Sequence, residues 1–474
     1  MYTDISRSVD RGFAYFESFT NLERDAGQAR TPMRLERMQA LLAAFGNPER
    51  AFRAIHIAGS KGKGSTAAFL ENILRAAGYR VGVYTSPHVR SYRERIGVHG
   101  QPADDGVLNA GLERIRSHVE RRYRAARRDN PHESRPLGAA STGDGSAAET
   151  SAGSDGIDSR QPTTFELLTL LAFIVFRETA CEWAVVETGL GGRLDATNVL
   201  VPAACLITPI EREHVEYLGD RLEQIAAEKA GIIKPGVPVF CSKQPPEVAA
   251  VIRARAAQCS APLHELAAVL CAADTLLRRE GMRLRLQLKG YRELSTTLRL
   301  IGSVQAENAA LAAYCVLQQF PEITAEQIVQ GLSAAWLPAR GELLETKPPV
   351  MIDGAHTAAS VASVCAEFRS LFPGARTLVF GAVRGKNYSA MAAVLAPAFD
   401  HVIIARPGRF KPSDLDELAA AFSALHPRVE VHAEPDAAWQ AARRHGCPAL
   451  VTGSFYLASE LHAVLDTQHH TDLH

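Results

Sequence analysis

Apolar residues fall at helical spacing over residues 33–45 and stop at Gly46, Asn47 and Pro48, which predicts a helix and its end. The residues before them are expected to be a frayed start. Residues 55–58 form a short buried strand, 59–64 a glycine-rich turn, and helical spacing resumes at Ser65 and closes at Gly78. A second strand follows at 80–84, then a loop, TSPHVRSYRERIGVHG, that leads to a short extended piece. A helix with a threonine start and Glu166 in its first turn is expected over 163–176, a strand over 183–187, another over 205–210 and a helix over 222–233. Basic and apolar residues alternate over 276–288 around Glu280 and Gly281, the pattern of a two-stranded ribbon beside the main sheet. After a helix at 303–317 and a connection bearing Pro and Gly at 336–342, strands at 350–353, 376–380, 401–405 and 449–452 alternate with helices.

Strands alternating with helices predict an α/β fold. Its first domain, residues 1–337, is a mostly parallel sheet containing a P-loop, and a smaller Rossmann-like, doubly wound domain occupies 343–474. Residues from about 125 to 161 break this order. They turn basic, then rich in Ser, Gly, Ala and Asp without aromatic or branched apolar residues, the composition of a disordered surface insertion.

With 474 residues, 46 % of them hydrophobic, the chain is long enough for two cores. Its 52 basic and 52 acidic side chains balance, so no general attraction to nucleic acid or to an anionic membrane is built in, and small-molecule partners are expected. Eight scattered cysteines without metal-ligand spacing read as buried apolar groups in a reducing cytoplasm, and the polar N-terminus shows no secretory leader. The longest apolar run, 167–176, is far too short to span a bilayer.

The chemistry starts in the turn GSKGKGST. Gly59, Gly62 and Gly64 can take positive φ and bring backbone N–H groups to an anion. Lys63 carries charge toward the β and γ phosphates, and Ser65 reaches a magnesium ion. Ser60, Lys61 and Thr66 complete the cradle, and ATP is the first ligand to consider. Ser86, Glu187 and His214 lie past the carboxyl ends of successive strands, where open α/β sheets bind ligands. Each has a bland second reading: a turn cap, a capped strand end, a surface or core histidine. Asp353, Gly354, Ala355 and His356 end the first strand of the second domain, either as polar contacts to a nucleotide held across the two domains or as a helix cap with a glycine turn.

These segments together resemble the folylpolyglutamate synthase and dihydrofolate synthase family, the folate branch of the Mur-type amide ligases. HIAGSKGKGST, TSPH with RERIGVHG, TTFELLT, VVETGLGGRLDATN, EHVEYLGDRLEQIAAEKAGIIKPG, VQAENAALA, LPARGELLE, IDGAH and LVTGSFYLASE match its signatures in order. The resemblance implies an enzyme that makes a folate or dihydropteroate carboxylate into an acyl phosphate with ATP and joins it to L-glutamate. It implies two magnesium ions, held by Ser65, Ser86, Glu187 and His214, and a carbon dioxide adduct on Lys229 at one of them. Lys229 as a plain salt-bridging lysine is the alternative. Asn308, Arg340 and Asp353 would contact the nucleotide and His356 the phosphates, so that Lys63, His214, Lys229 and His356 form the catalytic set. Phe165 and Glu166 of the folate element, with Arg193 and Asp195, would face substrate, and the protein would be a monomer.

Some residues depart from the family pattern. Lys61 stands where Asn is common and Glu213 where Asp precedes the metal histidine. DGAHNP becomes DGAHTAA with Thr357 and Ala358, and a frequent Asp-Lys-Asp becomes Gly385, Lys386 and Asn387. A Mur-like ligase with another acceptor and a nucleotide-binding protein without turnover are the competing readings.

Overall fold

In the computed structural model the described residues are 4–21, 33–129, 161–344, 346–408 and 412–471. The chain divides into two compact units, one of Met1–Ala67, Gly78–Ser86 and Arg95–Glu265, the other of Ala68–Ala77, Pro87–Glu94 and Leu266–His474.

The first unit is built on an eight-stranded sheet. Its spatial order is Gln101–Pro102, Ile96–Val98, Val81–Tyr84, Trp183–Glu187, Arg53–Ala58, Ala204–Ile207, Val239–Cys241 and Leu263–Glu265. The six strands from Val81–Tyr84 onward run parallel, and the first two are an antiparallel extension. Parallel strands buried on both faces are apolar throughout, and Trp183–Glu187 and Val81–Tyr84 are buried at every position. Arg53–Ala58 lies between Trp183–Glu187 and Ala204–Ile207, so the loops after these strands open at one edge.

The second unit holds a six-stranded sheet in the order Glu342–Leu344, Val350–Ile352, Ala449–Thr452, Thr377–Phe380, His401–Ala405, Val429–His432, parallel except for its first strand. Period two is visible in its packing. Met351, Leu378, Phe380, Val402, Ile404 and Leu450 join one hydrophobic cluster, whereas Val350, Ile352, Val379, Ile403, Ala405 and Val451 join another. The same unit contains an antiparallel three-stranded sheet, Leu270–Arg278, Gly281–Leu288 and Leu294–Leu298.

The expected α/β architecture is therefore observed, with differences of detail. The stretch expected to be frayed contains a helix, Asp4–Glu17, because Val9, Gly12, Phe13 and Phe16 form one buried stripe within a polar sequence. The two-stranded ribbon gains a third strand, Leu294–Leu298, and forms a sheet of its own. The helix Asp105–Asp129 runs past residue 125, and the rest of the expected insertion, 130–160, lies outside the described residues. All eight cysteines are free, but Cys271 is exposed, unlike the buried seven.

Candidate active site

The turn after Arg53–Ala58 has the geometry of an anion cradle. Gly59 has φ +151 and Gly62 φ +84. A Cβ on Gly59 would sit 1.8 Å from Thr208 Oγ1, so only glycine fits this approach to the neighbouring strand. The N–H groups of Ser60 and Lys61 donate to Pro209 O at 2.9 and 3.2 Å, which fixes the turn against the loop after Ala204–Ile207. Ser60 Oγ donates to Glu211 O and accepts from Glu211 N, and Lys61 pairs with the Glu211 carboxylate at 2.7 Å. The helix starts at Lys63, two residues earlier than expected, and so takes in Gly64. Ser65 and Thr66 are buried, and Thr66 Oγ1 has no hydrogen-bond partner.

Two lysines converge on one carbonyl. Lys63 Nζ donates to Gly59 O at 3.0 Å, and Lys229 Nζ donates to the same oxygen at 2.8 Å. Each ammonium has a carboxylate: Glu187 Oε1 lies 3.7 Å from Lys63 Nζ, and Glu213 Oε1 lies 2.7 Å from Lys229 Nζ. Ser86 N donates to Glu187 Oε2 at 3.2 Å. Lys229, on the helix Leu222–Ala230, is 2 % exposed, and burial together with the charge of Lys63 lowers its pKa to about 8, against the opposing pull of Glu213. Burial raises the Glu213 pKa, but Lys229 and Lys63 outweigh it and hold the carboxyl below its usual range. His214, with φ +47 at the start of the short helix Val215–Leu218, is the next residue. Loss of water around its ring lowers its pKa, with Glu213 opposing and the charges of Lys229 and Lys63 adding. Gly59, Lys63, Ser86, Glu187, Glu213, His214 and Lys229 are thus joined by direct contact, chain adjacency or mutual field.

Magnesium favours a few hard oxygen ligands and keeps phosphate oxygens and waters as the rest. Among the described residues no group of three or more His, Cys, Asp or Glu side chains is arranged to hold a metal ion. The Ser65 hydroxyl and the Glu187 carboxylate beside the cradle are donors of the right hardness, so the residues fit magnesium bound together with phosphates.

Two expected substrate contacts are used elsewhere. Glu166 is 4 % exposed, and its carboxylate accepts from Arg37 Nε at 2.8 Å, Arg37 Nη2 at 2.7 Å and Thr163 N at 2.7 Å, which completes a capping box on the helix Thr164–Glu178. Asp195, 1 % exposed, accepts from the N–H groups of Gly189, Leu190 and Thr197 and from the Thr197 hydroxyl. Both carboxylates organise the protein and have no face left for a ligand. Phe165 packs its ring against Tyr84, with centroids 5.7 Å apart, and covers Gly189, where a Cβ would lie 2.4 Å from Phe165 Cζ. Arg193 remains half exposed, paired to Glu228 at 2.9 Å.

In the second unit Arg340 lies over the Phe455 ring, its guanidinium carbon 3.9 Å from the centroid, and the His356 ring meets Phe455 edge-on at 6.0 Å. Asp353 accepts from Gly341 N at 2.7 Å and Ala355 N at 2.8 Å; burial raises its pKa against the field of Arg340. Asn308 Nδ2, also buried, donates to Gln305 Oε1 at 3.0 Å. The departures Thr357 and Asn387 have local reasons. Thr357 forms a capping box with Ser360 on the helix Ala358–Leu371, and Asn387 caps Tyr388–Leu395. Sequence reasoning missed Arg37, Thr197 and Phe455, none of which has chemistry of its own.

Residues 140–316 match the Mur ligase middle domain, and 339–455 match the Mur ligase, glutamate ligase domain. The chain is 36 % identical over 365 residues to the dihydrofolate synthase/folylpolyglutamate synthase of Bacillus subtilis (strain 168), covering 75 % of this chain and 77 % of that protein. It is 31 % identical over 464 residues to the folylpolyglutamate synthase of Lacticaseibacillus casei, covering 95 % and 97 %. In three dimensions it is similar to Mycobacterium tuberculosis folylpolyglutamate synthase complexed with ADP, with a TM-score of 0.81 at 27 % identity over 97 % of this chain and 99 % of that one. It is also similar to E. coli FolC in complex with DHPP and ADP, with a TM-score of 0.75 at 25 % identity over 97 % and 98 %. On these grounds the chain belongs to the folylpolyglutamate synthase/dihydrofolate synthase family of Mur-type ligases.

Proposed function

We propose that the protein is an ATP-dependent ligase that joins L-glutamate to the carboxylate of a folate or dihydropteroate through an amide bond. The observation that carries this reading is the convergence of Lys63 and Lys229 on the Gly59 carbonyl, between Glu187 and Glu213, in a chain of this family.

A carboxylate is a poor acylating agent. Transfer of the γ-phosphoryl group of ATP to its oxygen gives an acyl phosphate and ADP. The neutral amine of glutamate then attacks the carbonyl carbon, forms the C–N bond, loses a proton and expels inorganic phosphate. The cradle N–H groups and Lys63 hold the phosphates and offset the negative charge shared by the transferring group. Glu187 lies 3.7 Å from Lys63, so a triphosphate in the cradle competes with a carboxylate for this cation. Magnesium held by Ser65, Ser86 and Glu187, with a second ion near His214, would draw charge off the phosphoryl oxygens.

Lys229 would act as a carbamate: its neutral amine adds to carbon dioxide, forming an N–C bond and releasing one proton. That replaces a cation beside Glu213 with an anion, a change that calls for a metal ion in the same place. Asn308, Arg340, Asp353 and His356 serve the nucleotide; Phe165 and Arg193 serve the acceptor and glutamate. We place the boundary between the two ligase domains between residues 337 and 343, although residues 266–336 group with the second compact unit, and expect a monomer in the cytoplasm that acts on small molecules only; no helix among the described residues is long and apolar enough to cross a membrane.

The test is an acceptor panel with ATP, magnesium and glutamate, with dihydropteroate and tetrahydrofolate assayed separately, phosphate release measured and products resolved by mass. Phosphate release with both acceptors identifies a bifunctional enzyme, and release with one assigns a single activity. No release above background with either contradicts the reading.

A further inference from the structure

A buried histidine outside this machinery is joined to the turn after Glu187 by a chain of hydrogen bonds. His56, on the strand Arg53–Ala58, is fully buried, and its Nε2 lies 2.8 Å from Thr197 Oγ1. The Thr197 hydroxyl hydrogen is already committed, because Oγ1 donates to Asp195 Oδ1 at 2.5 Å. Only the oxygen lone pairs of Thr197 therefore face the ring, so His56 Nε2 carries the hydrogen and donates it. A neutral imidazole with a hydrogen on Nε2 has a bare Nδ1, and that atom is buried without a hydrogen-bond partner. A proton there would be a buried N–H with no acceptor, in the field of Lys234, so the ring stays neutral.

Downstream, Asp195 Oδ2 accepts from Gly189 N and Leu190 N, both at 2.9 Å, and these residues follow Glu187 by two and three positions. Thr188 N, between Glu187 and Gly189, donates to Ile57 O at 2.9 Å on the strand of His56. We propose that His56 is a positioning residue: through Thr197 and Asp195 it fixes the turn after Glu187, and with it the Glu187 carboxylate at the cradle. An isolated buried acceptor costs free energy, and a leucine of similar bulk avoids that cost.

This inference rests on the ligase reading only for its choice of ADP with magnesium as the ligand. Full-length protein labelled with 15N at histidine, compared with His56→Gln to assign the signal, should show His56 neutral with its hydrogen on Nε2 at pH 7 and at pH 5. A hydrogen on Nδ1, or an imidazolium at pH 5, overturns the proposal. In parallel, ADP binding in the presence of magnesium is measured by calorimetry, and thermal unfolding is followed. His56→Leu should unfold no earlier than wild type yet bind ADP with magnesium about tenfold more weakly, as loss of an orienting contact does. His56→Gln, which keeps an N–H near the Nε2 position, should recover most of this, and Thr197→Val added to His56→Leu should weaken binding little further. Wild-type affinity in His56→Leu, or equal damage from Gln and Leu, overturns it. Wild-type protein that is inert toward every acceptor removes the ligase reading and leaves both of these measurements decisive.

Discussion

At the scale of single residues, the charged positions of the signature loops divide by where their charge is spent. Lys63, Lys229, Glu187 and Glu213 neutralise one another around one carbonyl, while Glu166 and Asp195, equally prominent in the sequence, are enclosed by donors. A carboxylate in a motif does not reveal all its donors, because some come from distant chain positions, as Arg37 does for Glu166. His56 gives a pH test. Burial first, and then Lys234, lowers its pKa to about 3 from 6.5. Below about pH 6.5 the unfolded chain binds a proton that the folded chain refuses, so this group leaves stability intact above that pH and lowers it as pH falls toward 3. At pH 5 the loss is about 2 kcal/mol relative to pH 8. Urea titrations at the two pH values should show His56→Leu losing less stability than wild type by that amount; equal losses would contradict it. Gly189 gives a steric test. An added Cβ meets the Phe165 ring at 2.4 Å, so Gly189→Ala should cost about 1–3 kcal/mol and weaken acceptor binding, read as a raised KM for the pteridine substrate.

At the scale of elements, most of the chain was legible because apolar periodicity and capping chemistry are local. The strands Trp183–Glu187, His401–Ala405 and Ala449–Thr452 fall where the apolar runs place them, and Thr163 caps the helix Thr164–Glu178 as its capping-box spacing requires. The misses have physical causes. Val239–Cys241 and Leu263–Glu265 are three-residue strands too short for a period to register, and Leu294–Leu298 belongs to its sheet only through pairing with Gly281–Leu288. The fastening of one helix to another is likewise not local: Arg37, on Leu35–Ala44, reaches the capping carboxylate of Glu166 with both side chains about 5 % exposed. Arg37→Met leaves that carboxylate buried without its cation and should cost about 3–5 kcal/mol. The double variant Arg37→Met with Glu166→Gln should recover part of that loss in the same denaturant titration, and no recovery would show that Arg37 acts through packing alone. A milder effect belongs to Thr357, which caps Ala358–Leu371 directly after His356. Thr357→Ala should cost about 1 kcal/mol, whereas Thr357→Asn should keep stability because asparagine caps equally well.

At the scale of the whole molecule, two units each bury apolar clusters of their own. One cluster, including Ile207, Ile225, Ile233 and Val248, belongs to the unit of the phosphate cradle. Two others lie on the opposite faces of the six-stranded sheet in the second unit. A chain organised this way has no physical reason to melt as one cooperative block, because the cluster of the cradle unit shares no strand with the two clusters of the second unit. Calorimetric unfolding should therefore need more than one transition, with a van't Hoff enthalpy below the calorimetric one. Ligand linkage then identifies the transitions. If the Gly59–Thr66 cradle holds phosphates as proposed, inorganic triphosphate with magnesium, which offers no base to contact, should raise the transition of the unit that carries the cradle. At about 100 times its Kd that rise corresponds to about 2.7 kcal/mol, and Lys63→Ala should abolish it. One transition with equal enthalpies would mean that the two units unfold as one, and a shift that survives Lys63→Ala would place the triphosphate away from the cradle.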